Sequence, residues 1–322
     1  MILIVTPVQP VSDHGNGVTA RRWAAILASL GHQTRIAQHY QPPDRPASAL
    51  VALHARKSAD AVRAFHAEHP EAPIVLALTG TDLYPSLAAA GVDLNMLHLA
   101  SRLVVLQPHA VTQLDASLQP RTRIVVQSVD AIEPQPPRTD CFEVAYLAHL
   151  RQVKDPLRPA AAARLLPASS RIRITHVGST IEAPLAAAAL VESAGNPHYD
   201  WLGPVARTDA LQLVARSRLL VLTSWHEGGA NVISEAIAAG TPVIASRIPG
   251  SVGLLGDDYP GYFHAGDAAE LAAQLQAAET NHNGFYDQLR ERCAELRPLV
   301  DPAREREAWA SLLAELHVPL LI

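Results

Sequence analysis

Two glutamates eight positions apart, Glu227 and Glu235, bracket a glycine-rich loop in Glu227-Gly228-Gly229-Ala230-Asn231-Val232-Ile233-Ser234-Glu235. Carboxylates accept hydrogen bonds from sugar hydroxyls. Backbone N–H groups at a helix start, approached across glycines, attract phosphate oxygens. The apolar run Leu219–Leu222 leads into this loop, a helix is expected from about Ala230, and Gly240-Thr241-Pro242-Val243-Ile244-Ala245-Ser246 follows as a buried-looking strand. Two acids flanking a phosphate cradle suit a nucleotide-sugar, with its diphosphate at the helix start and hydroxyl-bearing groups on either side.

A second group of residues could serve a departing diphosphate. After Tyr146-Leu147-Ala148 comes His149-Leu150-Arg151-Gln152-Val153-Lys154-Asp155-Pro156. A diphosphate gains negative charge as its bond to a sugar breaks, so the cations Arg151 and Lys154 would stabilise the transition state more than the ground state. Nearby, Gly178 and Ser179 end another apolar run and either approach the donor or cap a helix.

A third group lies near the start of the chain. Asp13-His14-Gly15-Asn16-Gly17-Val18-Thr19-Ala20-Arg21-Arg22 is a glycine loop opening a helix, again suited to an anion. Its Gly-x-Gly-x-x-Ala pattern raises the reading of an NAD-dependent oxidoreductase. That reading fails on spacing: eight residues separate Thr6 from Gly15, and Arg35 to His39 holds no ribose-binding acid. His54, Arg56 and Lys57 follow another apolar run, as do Thr79-Gly80-Thr81-Asp82, Gln107 and His109, and Gln127 and Ser128. His14, Gly15, Asn16, Gly17, Arg56 and Thr81 are the candidate contacts for an acceptor, and Arg21, Arg22 and Lys57 could add to a basic pocket.

The elements that must position these groups alternate. Apolar runs at Ile2–Val5, Leu50–Leu53, Ile74–Leu78, Leu103–Leu106 and Ile124–Val126 are separated by helix-period segments, such as Val18 to Leu30 with Trp23, Ile26, Leu27 and Leu30 on one face. Glu133-Pro134-Gln135-Pro136-Pro137 is a stiff linker. The alternation then restarts at Phe142–Leu147, Ile172–Val177, Leu219–Leu222 and Val243–Ala245. This predicts an α/β chain with two Rossmann-like domains, residues 1–133 and 138–300, whose parallel sheets face a cleft. A last helix, about Ala303 to Leu316 within 303–318, carries Ala308, Trp309, Leu312, Leu313 and Leu316 on one face.

Composition bounds the function. The 322 residues include 48% hydrophobic side chains, enough for two cores, and no run long enough to span a bilayer. A formal net charge of −5 argues against nucleic acid and anionic membranes as partners. Only Cys141 and Cys293 occur, without metal spacing, and the Met1–Thr6 start reads as a strand rather than a secretory signal. A cytoplasmic enzyme is expected. There is no Asp-x-Asp, so no metal or other cofactor is expected to bridge the donor.

Glu227 to Glu235 resembles the Glu-x7-Glu element of retaining-type glycosyltransferases of the GT-B fold, the group often called family 4. That resemblance implies that Glu227 and the backbone of Gly229, Ala230, Asn231 and Val232 hold sugar and pyrophosphate, and that Glu235 binds the ribose. It puts Lys154 in the family's lysine slot, and His149 where the family has arginine, leaving Arg151 as the second cation. Val205, after Trp201-Leu202-Gly203-Pro204 and before a helix expected over Asp209 to Ser217, would support the base. A last helix returning to the first domain is common in such enzymes.

Over nearly its full length the chain is also similar to one branch of that superfamily, the selenosugar synthases of selenoneine biosynthesis. The similarity is carried by Ala77-Leu78-Thr79-Gly80-Thr81-Asp82-Leu83-Tyr84, Val105-Leu106-Gln107-Pro108, His149 to Pro156, Glu227 to Val232 and Ser246-Arg247-Ile248-Pro249-Gly250-Ser251-Val252-Gly253-Leu254-Leu255-Gly256. It implies transfer of a sugar, N-acetylglucosamine for example, from a UDP-sugar to selenophosphate. Two other readings stand beside it: a glycosyltransferase with a lipid, glycan or thiol acceptor, and a non-catalytic nucleotide-sugar-binding protein.

Overall fold

The computed structural model describes residues 1–10, 14–42 and 47–319. Asp13 of the first glycine loop lies outside them. The chain forms two compact units, one of Met1–Ser128, Glu227–Gly229 and Pro302–Ile322, the other of Val129–His226 and Ala230–Asp301.

In the first unit, β1 (Ile2–Val5), β2 (Thr34–Ala37), β3 (Ala49–Leu53), β4 (Ile74–Leu78), β5 (Arg102–Val105) and β6 (Thr122–Ile124) form one parallel sheet in the order β2-β1-β3-β4-β5-β6. Successive side chains of a strand point to opposite faces. Leu3, Val5, Leu50, Leu76 and Leu103 therefore build one core and Ile2, Ile4, Val51, Val75 and Val104 the other. Burial on both faces explains why β1, β3, β4 and β5 read as continuous apolar runs.

Two helices from opposite ends of the sequence cover the second face. Gly15–Ser29 contributes Ala20, Trp23 and Leu27, and Pro302–Glu315 contributes Trp309, Leu312 and Leu313. Trp23 and Trp309 meet edge to face, with ring centroids 4.8 Å apart. The buried Glu305 carboxylate accepts from Arg22 Nε at 2.9 Å, Trp23 Nε1 at 2.7 Å, Ser128 N at 2.8 Å and Ser128 Oγ at 2.5 Å. At the far end of the same helix Glu315 takes Arg102 and Arg123.

The second unit repeats the architecture. β7 (Phe142–Leu147), β8 (Ile172–Val177), β9 (Tyr199–Trp201), β10 (Leu219–Leu222), β11 (Val243–Ser246) and β12 (Tyr262–Phe263) make a parallel sheet ordered β12-β11-β10-β7-β8-β9. The expected α/β architecture with two parallel sheets is present. Three strands, β2, β9 and β12, carry no apolar run that marks them in the sequence. Leu106 falls outside β5, and the strand expected over Ile124–Val126 runs instead over Thr122–Ile124. Among the described residues no helix is long and apolar enough to cross a membrane.

Each strand order reverses once. The first chain path leaves β1 for β2 on one side, then continues from β3 through β4 and β5 to β6 on the other. In the second unit the reversal falls between β7 and β10. Loops at the carboxyl ends of the strands flanking such a reversal diverge and leave a crevice, where ligands of parallel sheets bind.

Candidate active site

In the second unit the loops after β7 and β10 flank the reversal, and they carry the predicted cations and the start of the predicted phosphate-binding helix. The turn Gln152–Lys154 is fixed through its backbone. The Lys154 carbonyl accepts from the Tyr146 hydroxyl at 3.0 Å and from Thr223 Oγ1 at 2.9 Å, and these two hydroxyls lie 2.8 Å apart. Trp225 N–H donates to the Val153 carbonyl at 2.9 Å. Asp155 completes the turn in the left-handed region, φ +46°, with its carboxylate 2.8 Å from Arg158 Nε. Tyr146 is the penultimate residue of β7 and Thr223 follows β10, so both strands hold the peptide that presents Lys154. The Arg151 and Lys154 side chains are half-buried.

Gly178 has a packing role. A Cβ there would sit 1.9 Å from the Ala148 carbonyl oxygen, so the ends of β7 and β8 meet only because it has no side chain. Ser179 N–H donates to His149 Nδ1 at 3.0 Å. The capping alternative for this pair fails, because the next helix, Ala183–Gly195, takes Glu182 at its N-cap position. Behind them His176 is fully buried, with Nδ1 2.6 Å from the Tyr199 hydroxyl and Nε2 2.8 Å from the Ala148 carbonyl. Burial pushes its pKa down to about 4, so a neutral ring donates to Ala148 and accepts from Tyr199.

The helix after β10 runs Asn231–Ala239, with Ala230 at the N-cap position contributing no side-chain cap. Ala230 presents its carbonyl to Ile233 N–H at 3.0 Å. Glu235 is 3% exposed, and its Oε1 lies 2.8 Å from Arg207 Nη2. Arg207 opens the helix Arg207–Arg216, which begins two residues earlier than the sequence indicated. Val205 precedes it in an exposed loop.

Glu227–Gly229 group with the first unit. A Cβ on Gly228 would meet the Thr79 carbonyl carbon at 2.5 Å, and one on Gly229 would meet Leu106 Cβ at 2.5 Å. Close contact with the residues after β4 and β5 thus requires these glycines, independently of any phosphate. Glu227 is half-buried.

In the first unit His14 takes the N-cap position of the Gly15–Ser29 helix without a side-chain cap, and its carbonyl accepts from Gly17 N–H at 2.8 Å. Gly15 is exposed, Asn16 half-buried and Gly17 buried. Strand order places this loop, the His54–Lys57 loop after β3 and the Thr79–Asp82 loop after β4 at one edge of the sheet, around its reversal. Arg56 is exposed and Thr81 half-buried. The buried Asp82 carboxylate accepts from Ala55 N–H at 2.7 Å, Thr79 N–H at 3.0 Å and Gly80 N–H at 2.8 Å, tying the two loops together. The basic pocket loses two expected members. Arg22 is engaged by Glu305, and Arg21 Nη1 donates to the Pro10 carbonyl at 2.7 Å.

Residues 130–296, more than half of the chain, match the family model of the glycosyl transferases group 1. The chain belongs to this family. Its fold, GT-B, is also that of sucrose-phosphate synthase from Thermosynechococcus elongatus, at 15% identity, 98% coverage of both chains and a TM-score of 0.78. HepE from Anabaena, solved with UDP and glucose, is similar at 16% identity, 98% coverage of this chain, 99% of its own, and a TM-score of 0.76. A glycosyltransferase from Rickettsia africae matches at 14% identity, 98% coverage of both chains and a TM-score of 0.75. No curated protein sequence matches the chain.

The group 1 match spans Arg151, Lys154, Val205, Glu227 and Glu235. Sequence reasoning overlooked what holds these groups in the transferase. Tyr146 and Thr223 fix the Lys154 peptide, and Arg207 neutralises a buried carboxylate whose desolvation would otherwise be costly. Arg207 is the first cation after the Gly203-Pro204-Val205 loop, a faint signal at best. Nothing in the local sequence ties His54 to Thr81 or Asp82.

Proposed function

We propose that this glycosyltransferase moves a sugar from a UDP-sugar, N-acetylglucosamine for instance, to selenophosphate. The observation that carries the donor half is the anchoring of the Lys154 turn at the β7/β10 reversal, beside the start of the Asn231–Ala239 helix. In this reading Glu235 takes the ribose, the Gly229–Val232 backbone takes sugar and pyrophosphate, Val205 supports the base and Glu227 holds the sugar. Arg151 and Lys154 meet the charge that develops on the leaving diphosphate, the task given to a metal in other transferases. Nucleotide-sugar use is supported by the group 1 match and by the UDP bound in HepE.

The acceptor half rests on the resemblance of the chain's motifs to selenosugar synthases, and on a first-unit edge carrying His14, Asn16, Arg56 and Thr81. Selenium of selenophosphate attacks the anomeric carbon, the carbon–oxygen bond to UDP breaks, and UDP leaves with the electron pair. Hydrolysis of the phosphorus–selenium bond then gives phosphate and the 1-selenosugar. A selenium nucleophile is already deprotonated, so orientation and charge neutralisation matter more than a general base.

Mass spectrometry of the purified protein with UDP-N-acetylglucosamine, with and without selenophosphate, tests the reading. The expected product is a sugar with the selenium isotope pattern, accompanied by UDP. Release of UDP with no selenium-bearing sugar would mean a different acceptor, and no UDP release from any nucleotide-sugar would mean a binding protein only.

A further inference from the structure

At the carboxyl end of β3, His54 has φ +72°, a left-handed backbone that is strained for a side chain of this size. The surroundings hold it there. Its N–H donates to the Ala77 carbonyl at 2.8 Å, its carbonyl accepts from Ser58 N–H at 3.0 Å, and the residue is 3% exposed. Nδ1 accepts the Lys57 N–H at 3.4 Å, and Nε2 lies 3.0 Å from Thr81 Oγ1. Asp82 Oδ2 stands 3.7 Å from Nδ1, too far for a hydrogen bond, and that carboxylate already accepts three backbone N–H groups.

Burial lowers the His54 pKa, Lys57 and Arg56 act in the same direction, and Asp82 opposes them. A neutral imidazole that accepts at Nδ1 carries its proton on Nε2. Nε2–H then occupies a lone pair of Thr81 Oγ1, so the half-buried Thr81 hydroxyl has its own proton to donate elsewhere. A strained, buried residue beside a half-buried hydroxyl at a strand end is the kind of outlier that points to function.

We infer that His54 is a positioning residue that turns the Thr81 hydroxyl outward as a hydrogen-bond donor for an oxyanion of the acceptor. The inference rests on reading this edge as the acceptor site. It selects phosphate-like acceptors over alcohols, since an alcohol would need the opposite arrangement, with Nε2 unprotonated and able to receive a proton through Thr81.

Two readouts on the full chain test it without sugar transfer. Nitrogen-15 NMR of the histidine rings, with His54→Asn used for assignment, should show His54 in the Nε2–H tautomer. Calorimetric titration with inorganic phosphate should show a Kd raised roughly tenfold to a hundredfold in Thr81→Val, the loss expected for one hydrogen bond to a charged group. Thr81→Ser should stay within about threefold of the parent, and His54→Asn, whose side chain tolerates the left-handed backbone, should weaken phosphate about tenfold. UDP affinity should not change in any of them. An Nδ1–H tautomer, absence of phosphate binding, or unaltered phosphate binding in Thr81→Val would overturn the inference. Phosphate binding that depends on Thr81 and His54, without sugar transfer to any phosphate-like acceptor, would refute the proposed reaction and keep this site.

Discussion

The edges of the two sheets present polar groups in different ways. At the second edge, the peptide of Lys154 is held by Tyr146 and Thr223, while the half-buried lysine side chain takes no part in those bonds. At the first edge the polar groups are themselves the structure: Asp82 binds three backbone N–H groups from two loops, and His54 is locked between Lys57 N–H and Thr81. The second arrangement separates stability from chemistry, and the first joins them. Substitutions should therefore reduce turnover with little change in stability around Lys154, and reduce stability together with acceptor binding at the first edge.

The largest effect is expected at Asp82. Asp82→Ala leaves three backbone N–H groups, two of them buried, without their acceptor, and chemical denaturation should show a loss of about 3–5 kcal/mol. A loss below about 1 kcal/mol would break the contrast. Lys154→Ala should lower kcat about 10²–10³-fold, the usual result of removing one charge-assisted contact to developing charge. Its melting temperature should stay close to the parent's, because the carbonyl that Tyr146 and Thr223 hold is still present.

His176 sharpens the comparison through pH. Its folded pKa is held down to about 4, below the ordinary 6.5, with burial the largest cause. The unfolded chain takes up the proton as pH falls through 6.5, whereas the folded chain resists until about 4. Stability from this residue is therefore intact above pH 6.5 and falls by about 3 kcal/mol as pH drops to 4. Denaturation midpoints of the parent and His176→Phe across that window check the sign, since the variant should lack this part of the slope. The smallest effect is expected at Arg207. Arg207→Ala leaves Glu235 buried without its partner, and UDP affinity should fall about tenfold by calorimetry, less than for a fully buried pair because Arg207 is partly exposed.

Much of this was legible in the sequence, and the gaps have physical causes. Strands buried on both faces, such as β3 and β4, showed as apolar runs. Three of the four edge strands did not: β2 is Thr-Arg-Ile-Ala, β9 is Tyr-Asp-Trp, and β12 has two residues, too short or too polar to give a pattern. Glu227 and Glu235 stand out because paired charge beside a glycine loop has few structural uses, and Lys154 because it follows the apolar run of β7 at a strand end. Supports that come from afar stay hidden: Thr223 reaches the Lys154 peptide across 69 positions. Likewise, His54 and Thr81 are 27 positions apart. In the sequence the two glycines of Glu227-Gly228-Gly229 mean only room for a ligand, and their tight fit against Thr79 and Leu106 has no signature there.

Which atom the sugar receives decides the acceptor, and one spectrum reports that directly. Selenium-77 NMR of a reaction containing UDP-N-acetylglucosamine labelled with carbon-13 at the anomeric position, and selenophosphate enriched in selenium-77, reads the new bond. A one-bond carbon–selenium coupling in the product, absent when Lys154→Ala replaces the parent enzyme, is the result predicted. An anomeric carbon released as UDP leaves but bonded only to oxygen would contradict it.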